Sequence, residues 1–473
     1  MKKKILTGML ICSLGITACS DWLNVEPKTT VKEKELFSRE IGFKEALTGI
    51  YIQMGGSGLY GRNLSYGFLD ILGQCYQPKD GAGDFYYQNK AYYEFPSDKT
   101  ESTTNAVWSG MYSVIANVNN LLYWIDRKKD VFTTEGYYEI IKGEALGLRA
   151  FLHFDLLRMF GPVYKQDPDG LSICYRTVFD RNSRKILPAS AVMDSILVDL
   201  HAAETILTGK DPLNYNFPRT VNDEMGYEGD GFLTMRHKRM NLYAVKALLA
   251  RVHLWANQKS EAGKYALDVV RSGYFSLVSD NSVDRIFSSE LLFSLYIDAF
   301  DQQVKNDFSW RGSWYIFEKE FLNEYFDVSV DGSNDIRYRE GTGFIHDASG
   351  QFVQKYNQEG LWTSLENTVP LIRLPEMYYI LAECAEDEGE AAGYLNKVRE
   401  ARGIEAVAFE NESREEALTK EYRKEFYAEG QLFFFYKRWF KSSFLHCPVR
   451  EMKASNYQFS IPDDEILFGD VPQ

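Results

Sequence analysis

An all-α architecture of tetratricopeptide-like helix hairpins, interrupted by long irregular aromatic-rich insertions, is predicted by three observations. The first is a dense helical period between Gly136 and Gly161, in which Ile140, Ile141, Ala145, Leu148, Leu152 and Leu156 mark one face. Phe151, Phe154, Met159 and Phe160 occupy other sides of the same helix, so it must pack on several faces. The second is an A-L-x-x-R echo, Ala145 to Arg149 and Ala247 to Arg251, each followed by an aromatic residue or His and then Leu. The third is the loss of any helical period over residues 55–100 and 273–370, where aromatic residues alternate with glycine.

Taken from the start, the chain opens with a basic n-region at Lys2, Lys3 and Lys4 and a short apolar core from Ile5 to Ile16. Ile16-Thr17-Ala18-Cys19 then resembles a bacterial lipobox, which implies cleavage before Cys19 and diacylglyceryl modification of its thiol. Residues 1–18 are thus expected to be a lipoprotein signal peptide, 19–37 a lipid anchor and tether, and 38–473 a single helical domain. Ser38 is placed to cap a helix running to about Met54. Thr104 opens a helix through Trp108, Tyr112, Ile115 and Leu122, which a turn joins to the Gly136–Gly161 strut as an antiparallel hairpin. The small residues Gly143, Ala145, Gly147 and Ala150 let neighbouring backbones approach that strut, and Gly161-Pro162 ends it.

Three more pairs follow: Ala189 to Leu207 with Met240 to Asn257, Glu261 to Ser272 with Leu371 to Glu386, and Ala391 to Arg402 with Arg414 to Trp439. The four hairpins span about 103–160, 189–257, 260–386 and 390–439. The two loop regions lie between or within them, and loop-rich stretches of that length inside a compact protein carry function.

Length alone would allow two or three domains, but hydrophobic residues at 45% and charged residues at 25% are ordinary values that force no division. The formal charge of −14 becomes −17 once the three leader lysines are removed, and the surplus is spread along the chain. Nucleic acid is therefore not an expected partner, because that requires a basic face. Aromatic residues are abundant at 15%, 31 of them Tyr, which favours surfaces that bind something.

Catalytic and metal signatures are lacking. The six histidines show neither HExxH nor i,i+4 pairing, and His153, four residues after Arg149, reads as a hydrogen-bonded helix residue. Gly56-Ser57-Gly58-Leu59-Tyr60-Gly61 has the GxGxxG spacing but follows a helix, outside any βαβ unit. Asp331, Ser333, Asp335 and Glu340 could gather oxygens around calcium, although the glycine is misplaced for an EF-hand. Cys75, Cys174, Cys384 and Cys447 lie far apart without CxxC spacing and read as buried free thiols. No cofactor, metal or catalytic residue is predicted. Paired carboxylates of a glycosidase have no sequence spacing, so a lipid-anchored glycoside hydrolase on a helical scaffold stays the alternative.

The aromatic loops are the better lead. A sugar ring stacks its C–H face on Trp or Tyr, and its hydroxyls need amides, acids or guanidinium groups at the rim. Asn306, Asp307, Trp310, Arg311, Trp314 and Tyr315 supply both kinds of group in one segment, and Tyr86 and Tyr87 add rings in the other. The competing reading of each ring is that it pins a loop to the helices.

With these residues in view, the chain resembles the SusD/RagB family of Bacteroidetes outer-membrane lipoproteins. The match runs from Cys19-Ser20-Asp21-Trp22-Leu23-Asn24 and Pro27, through Glu144 to Gly161 and Ala247 to Arg251, to Arg373-Leu374-Pro375-Glu376 with Ala382-Glu383. Asn396-Lys397-Val398-Arg399 with Arg402-Gly403, Glu421 to Gly430, and Ile461-Pro462 with Glu465 complete the order. Arg373 and Glu376 are expected to fix helix packing as a charged pair. After Glu429-Gly430 the family pattern carries an Arg and then an Asp, where this chain has Leu432 and Phe435. The resemblance implies a right-handed helical scaffold and a non-enzymatic, cell-surface nutrient-binding lipoprotein of the outer membrane. It further implies a lid role on a SusC-like TonB-dependent transporter, with oligosaccharide, or in some relatives peptide, as ligand.

Overall fold

The computed structural model describes residues 28–76, 90–214, 231–308, 315, 318–347, 350–357, 366–410 and 412–469. The helices α1 (Lys28–Leu36), α2 (Glu40–Met54) and α3 (Phe68–Leu72) lead to the long pair α4 (Glu101–Ile125) and α5 (Tyr137–Phe160). Then come α6 (Ala189–Leu207), α7 (Leu242–Trp255) and α8 (Lys259–Arg271), with α9 (Phe300–Asp307) and α10 (Lys319–Tyr325) inside the second insertion. The remaining helices are α11 (Leu374–Cys384), α12 (Glu388–Ala401), α13 (Arg414–Glu425), α14 (Leu432–Trp439) and α15 (Asp463–Phe468).

Each scaffold helix packs on the next: α4 on α5, α5 on α6, α6 on α7, α7 on α8, α8 on α11, α11 on α12 and α12 on α13. This is the nearest-neighbour stacking of helix hairpins, in which a face left apolar by one pair is buried by the following one. The strut α5 is the centre of it. Only Tyr138, Glu139 and Lys142 of its residues escape full burial. A Cβ on Gly143 would sit 2.6 Å from Leu207 Cγ, and one on Gly147 2.6 Å from Met240 Cγ, so the small residues do admit close neighbours.

Polar groups on so buried a helix need partners. Glu144 accepts from Tyr51 Oη at 2.7 Å and Arg239 Nε at 3.0 Å, and is also held by Arg236, whose guanidinium binds Asp211. Arg149 grips both carboxylate oxygens of Asp199 at 2.7 Å. His153 Nδ1 lies 2.8 Å from Arg149 O, its Nε2 accepts from Arg176 N at 3.0 Å, and burial pushes its pKa down to about 3. It is the hydrogen-bonded helix residue that its spacing predicts.

The late motifs, scattered in sequence, meet in one buried ionic network. Glu425 is shared by Arg337, Arg373 and Arg402; Glu290 by Arg373 and Arg402; Glu421 by Arg337 and Arg399; Glu429 by Arg373 and Lys355. Burial alone would raise the Glu425 carboxyl, but Arg402, Arg373 and Arg337 hold it well below the usual carboxylate range. Glu290, Arg337 and Lys355 belong to the second insertion, whereas the other members come from α11 to α13 and their ends, so the network bolts the insertion to the scaffold.

Several expectations are corrected. Arg373 and Glu376 do fix packing, but not as a pair: Arg373 serves the network, and Glu376 binds Arg251. Ser38 does not cap α2; its hydroxyl donates to Glu35 O, and Arg39 occupies the cap position. The first long helix begins at Glu101, with Thr104 inside its first turn. The last predicted helix is two, broken after Glu425 where Ala428 and Gly430 turn left-handed. A side chain at Gly430 would also put its Cβ 2.4 Å from Leu64 O. Leu432 and Phe435 replace polar contacts with apolar ones: Leu432 is fully buried, and Phe435 stacks on Tyr422 at 4.2 Å.

The insertion is also less irregular than expected. β3 (Leu291–Tyr296) pairs antiparallel with β6 (Thr368–Arg373), which runs straight into α11, and β4 (Phe344–Asp347) pairs with β5 (Gly350–Val353). Elsewhere β1 (Leu171–Ile173) pairs with β2 (Leu187–Pro188). Asp331 is engaged by Arg399, and Asp335 by Arg337, so two of the three carboxylates considered for calcium are spent on guanidinium groups. Cys75 and Cys174 are buried free thiols, and Cys384 and Cys447 are free and partly buried.

Candidate functional site

The two aromatic regions meet. Tyr66 and Tyr76, from the first, pack against Phe308 and Tyr315, from the second, with ring centroids 5.2 to 6.0 Å apart. Phe300 and Tyr356 close the group around Tyr66. Hydrogen bonds lock the junction: Tyr66 Oη donates to Asp307 Oδ2 at 2.6 Å and accepts from Gln303 Nε2 at 2.8 Å, while the same amide reaches Gly61 O at 2.7 Å. Burial and the Asp307 carboxylate push the Tyr66 phenol far up, so it stays a neutral donor. Most of these rings are buried and pin one segment to the other, the structural role that single aromatics were weighed against.

Beside the cluster α9 borders a pocket of about 130 Å³. Phe308, Tyr356, Phe352 and Val304 form its apolar wall, and Asp301, Lys305, Gln354 and Asn357 its polar rim. Asp301 and Asn367 exchange two hydrogen bonds, at 2.9 and 3.0 Å, which fix the rim against the start of β6. Partial burial raises the Asp301 carboxyl above its ordinary value. An apolar wall with amides and charges on one edge suits a ligand that has one flat apolar face and many hydroxyls.

Of the sequence candidates, Tyr315 belongs to the cluster, partly buried against Tyr66, Tyr76 and Phe308. Asn306 lies exposed on α9, accepting from Gln302 Nε2 at 3.1 Å. Cys19, Tyr86, Tyr87, Trp310, Arg311 and Trp314 lie outside the described residues. Sequence reasoning missed Asp301, Gln354 and Asn357, although Phe300, Val304 and Phe308 at four-residue spacing carried the signal for the helix that presents Asp301; Gln354 and Asn357 follow β5. Among the described residues no group of acids, histidines and cysteines could hold a metal, and no helix is long and apolar enough to cross a membrane.

Comparison with known proteins follows the same lines. Residues 21–215 match a family model described as starch-binding associating with outer membrane, and residues 295–464 match the SusD family model. A SusD-like protein of Formosa agariphila is 24% identical over 289 residues, which is 58% of this chain and 47% of that protein, so the match spans about half the length of the curated relative. A SusD superfamily protein of Bacteroides thetaiotaomicron superposes with a TM-score of 0.71 at 23% identity, covering 92% of this chain and 99% of the other. A sugar-binding protein described as putative in its crystal structure, from Bacteroides vulgatus, gives 0.68 at 21%, covering 92% and 98%. A laminarin-binding SusD-like protein gives 0.63 at 18%, covering 92% and 99%. With two SusD-type family models matched at 21–215 and 295–464 and the same helical fold shared over 92% of its length, the chain belongs to the SusD family.

Proposed function

We propose that this protein is a lipid-anchored, cell-surface binding protein of the outer membrane that captures oligosaccharide and, as a lid, passes it to a SusC-like TonB-dependent transporter. The observation that carries the binding half is the meeting of the two aromatic regions at Tyr66, Tyr76, Phe308 and Tyr315 beside a pocket with a polar rim. The family models, one described as starch-binding associating with outer membrane, and the laminarin-binding relative support a glycan as ligand. Cys19 after a lipobox-like segment supports the anchor. The protein binds without cleaving. Its site is organised by stacking and amide contacts, and the buried acids Glu421 and Glu425 of the scaffold are held by arginines.

The test is retention. Incubated with a panel of polysaccharides and peptides, the full chain in detergent is expected to hold a glycan that is recovered chemically unchanged. Retention of peptide alone would reassign the ligand class, and steady release of shortened sugars would reject the binding role in favour of hydrolysis.

A further inference from the structure

A second pocket lies away from the aromatic junction, where the end of α5 meets α7, α11, α13 and α14. Its core is about 30 Å³ and it opens to the surface. Three guanidinium groups line it, Arg158, Arg251 and Arg438, against one carboxylate, Glu376, and one amide, Gln431.

The hydrogen-bond inventory is unbalanced. Arg251 donates Nε and Nη2 to Glu376, at 2.6 Å each, and Nη2 also to Leu371 O, yet its Nη1 has no acceptor although the residue is only 6% exposed. Arg158 spends Nε and Nη2 on Asp155 and offers Nη1 to the neutral Gln431 Oε1 at 3.1 Å. Arg438 is satisfied by Glu383. Burial lowers the Arg158 pKa against the pull of Asp155, and the charge of Arg251 adds to the fall. α14, with the sequence LFFFYKRW, brings no acid to this side. A buried donor without an acceptor is destabilising until something supplies one.

We infer that this pocket is an anion site that takes the carboxylate of a small organic acid. A carboxylate is a charged acceptor for the open Arg251 Nη1, and Arg158 Nη1, held only by the neutral Gln431 Oε1, is the second donor on the pocket's lining. The small core admits a carboxylate head, and Phe434, stacked on the Arg158 guanidinium at 3.9 Å, adds an apolar side to the open mouth. Gln431 sits where a side-chain carboxylate could do the same from within the chain.

Arg251→Ala would strand Glu376 and fail for reasons of folding alone, so the test uses Gln431→Glu. Thermal unfolding of the full chain in detergent is followed in sodium acetate and in sodium chloride of equal ionic strength. Acetate at ten times its Kd is expected to raise Tm by about 2 °C over chloride. Gln431→Glu is expected to unfold at higher temperature than the parent in chloride and to lose the acetate increment. Equal responses to the two salts, an increment that survives Gln431→Glu, or a crystal structure grown in acetate showing an ordered water only at Arg251 Nη1 would each overturn the assignment.

Discussion

Arg251 on α7 holds Glu376 on α11 through both carboxylate oxygens, at 2.6 Å each, with both side chains nearly buried. The pair joins two of the sequence motifs and carries one hairpin's charge across to the next. Removing either partner leaves an uncompensated buried charge, a loss of about 3–5 kcal/mol. Replacing both by Met should cost much less, because the desolvation penalty disappears with the pair. Denaturant unfolding of Arg251→Met, Glu376→Met and the double variant checks this: a double variant as unstable as the sum of the two singles would contradict it.

The strut makes a different prediction, since its role is packing. Ala150 is fully buried on α5, and Ala150→Trp has nowhere to put an indole. The expected loss is at least about 3 kcal/mol of stability or failure to fold, with ligand affinity unchanged in whatever fraction remains folded. Selective loss of binding in a fully stable variant would mean that α5 touches ligand.

What was legible follows from periodicity. α4 to α8 and α11 were visible because each repeats apolar residues at helical spacing, whereas the packing of α8 on α11 spans the whole second insertion and had to be read from paired helical patterns rather than from a short link. The break at Ala428 to Gly430 was hidden because Tyr427, Leu432, Phe433 and Phe434 continue an apolar run across it; the constraint is a non-local clash with Leu64 O. Arg373 was assigned the wrong partner for the same reason. Its acids, Glu290, Glu425 and Glu429, are distant in sequence, and helical spacing offers only Glu376. The rim of the candidate pocket went unread because α9 is too short for its period to stand out from the surrounding aromatics.

Asp70 gives a pH prediction. It is fully buried; its Oδ1 accepts from Gly430 N at 2.7 Å, and burial pushes its pKa up to about 8. A carboxyl raised in the folded state keeps a proton that the unfolded chain releases near pH 3.8, so its contribution to stability falls as pH climbs from there toward 8. The slope is at most about 1.4 kcal/mol per pH unit. Asp70→Asn retains the acceptor for Gly430 and cannot ionise. Its advantage over the parent in unfolding free energy should therefore grow between pH 5 and pH 8; a constant difference would show that Asp70 is ionised throughout.

The transporter and ligand roles separate in one experiment. A lid needs an interface of at least about 1,000 Å², so the partner should co-purify from detergent-solubilised outer membrane. Trp310→Ala with Trp314→Ala should weaken glycan retention and leave that complex intact. A strictly monomeric native preparation would count against the lid, and loss of the complex with retention preserved would move those two tryptophans to the partner interface.

Tyr66 links the aromatic regions by both ring and hydroxyl, and the two can be dissected. Tyr66→Phe keeps the ring against Phe300, Phe308, Tyr315 and Tyr356 but deletes the hydroxyl that donates to Asp307 and accepts from Gln303. A hydrogen bond to a charged acceptor is worth about 1.5–3 kcal/mol, and here it ties α9 to the turn before α3 rather than the scaffold helices to one another. Amide exchange over 300–308 should therefore quicken at least tenfold while the exchange of α5 and α7 stays unchanged. If the junction presents the ligand site, glycan affinity should fall about three- to tenfold in the same variant, because ordering that the parent has in advance must then be supplied on binding. Faster exchange with undiminished affinity would place the binding rings on some other surface of the protein.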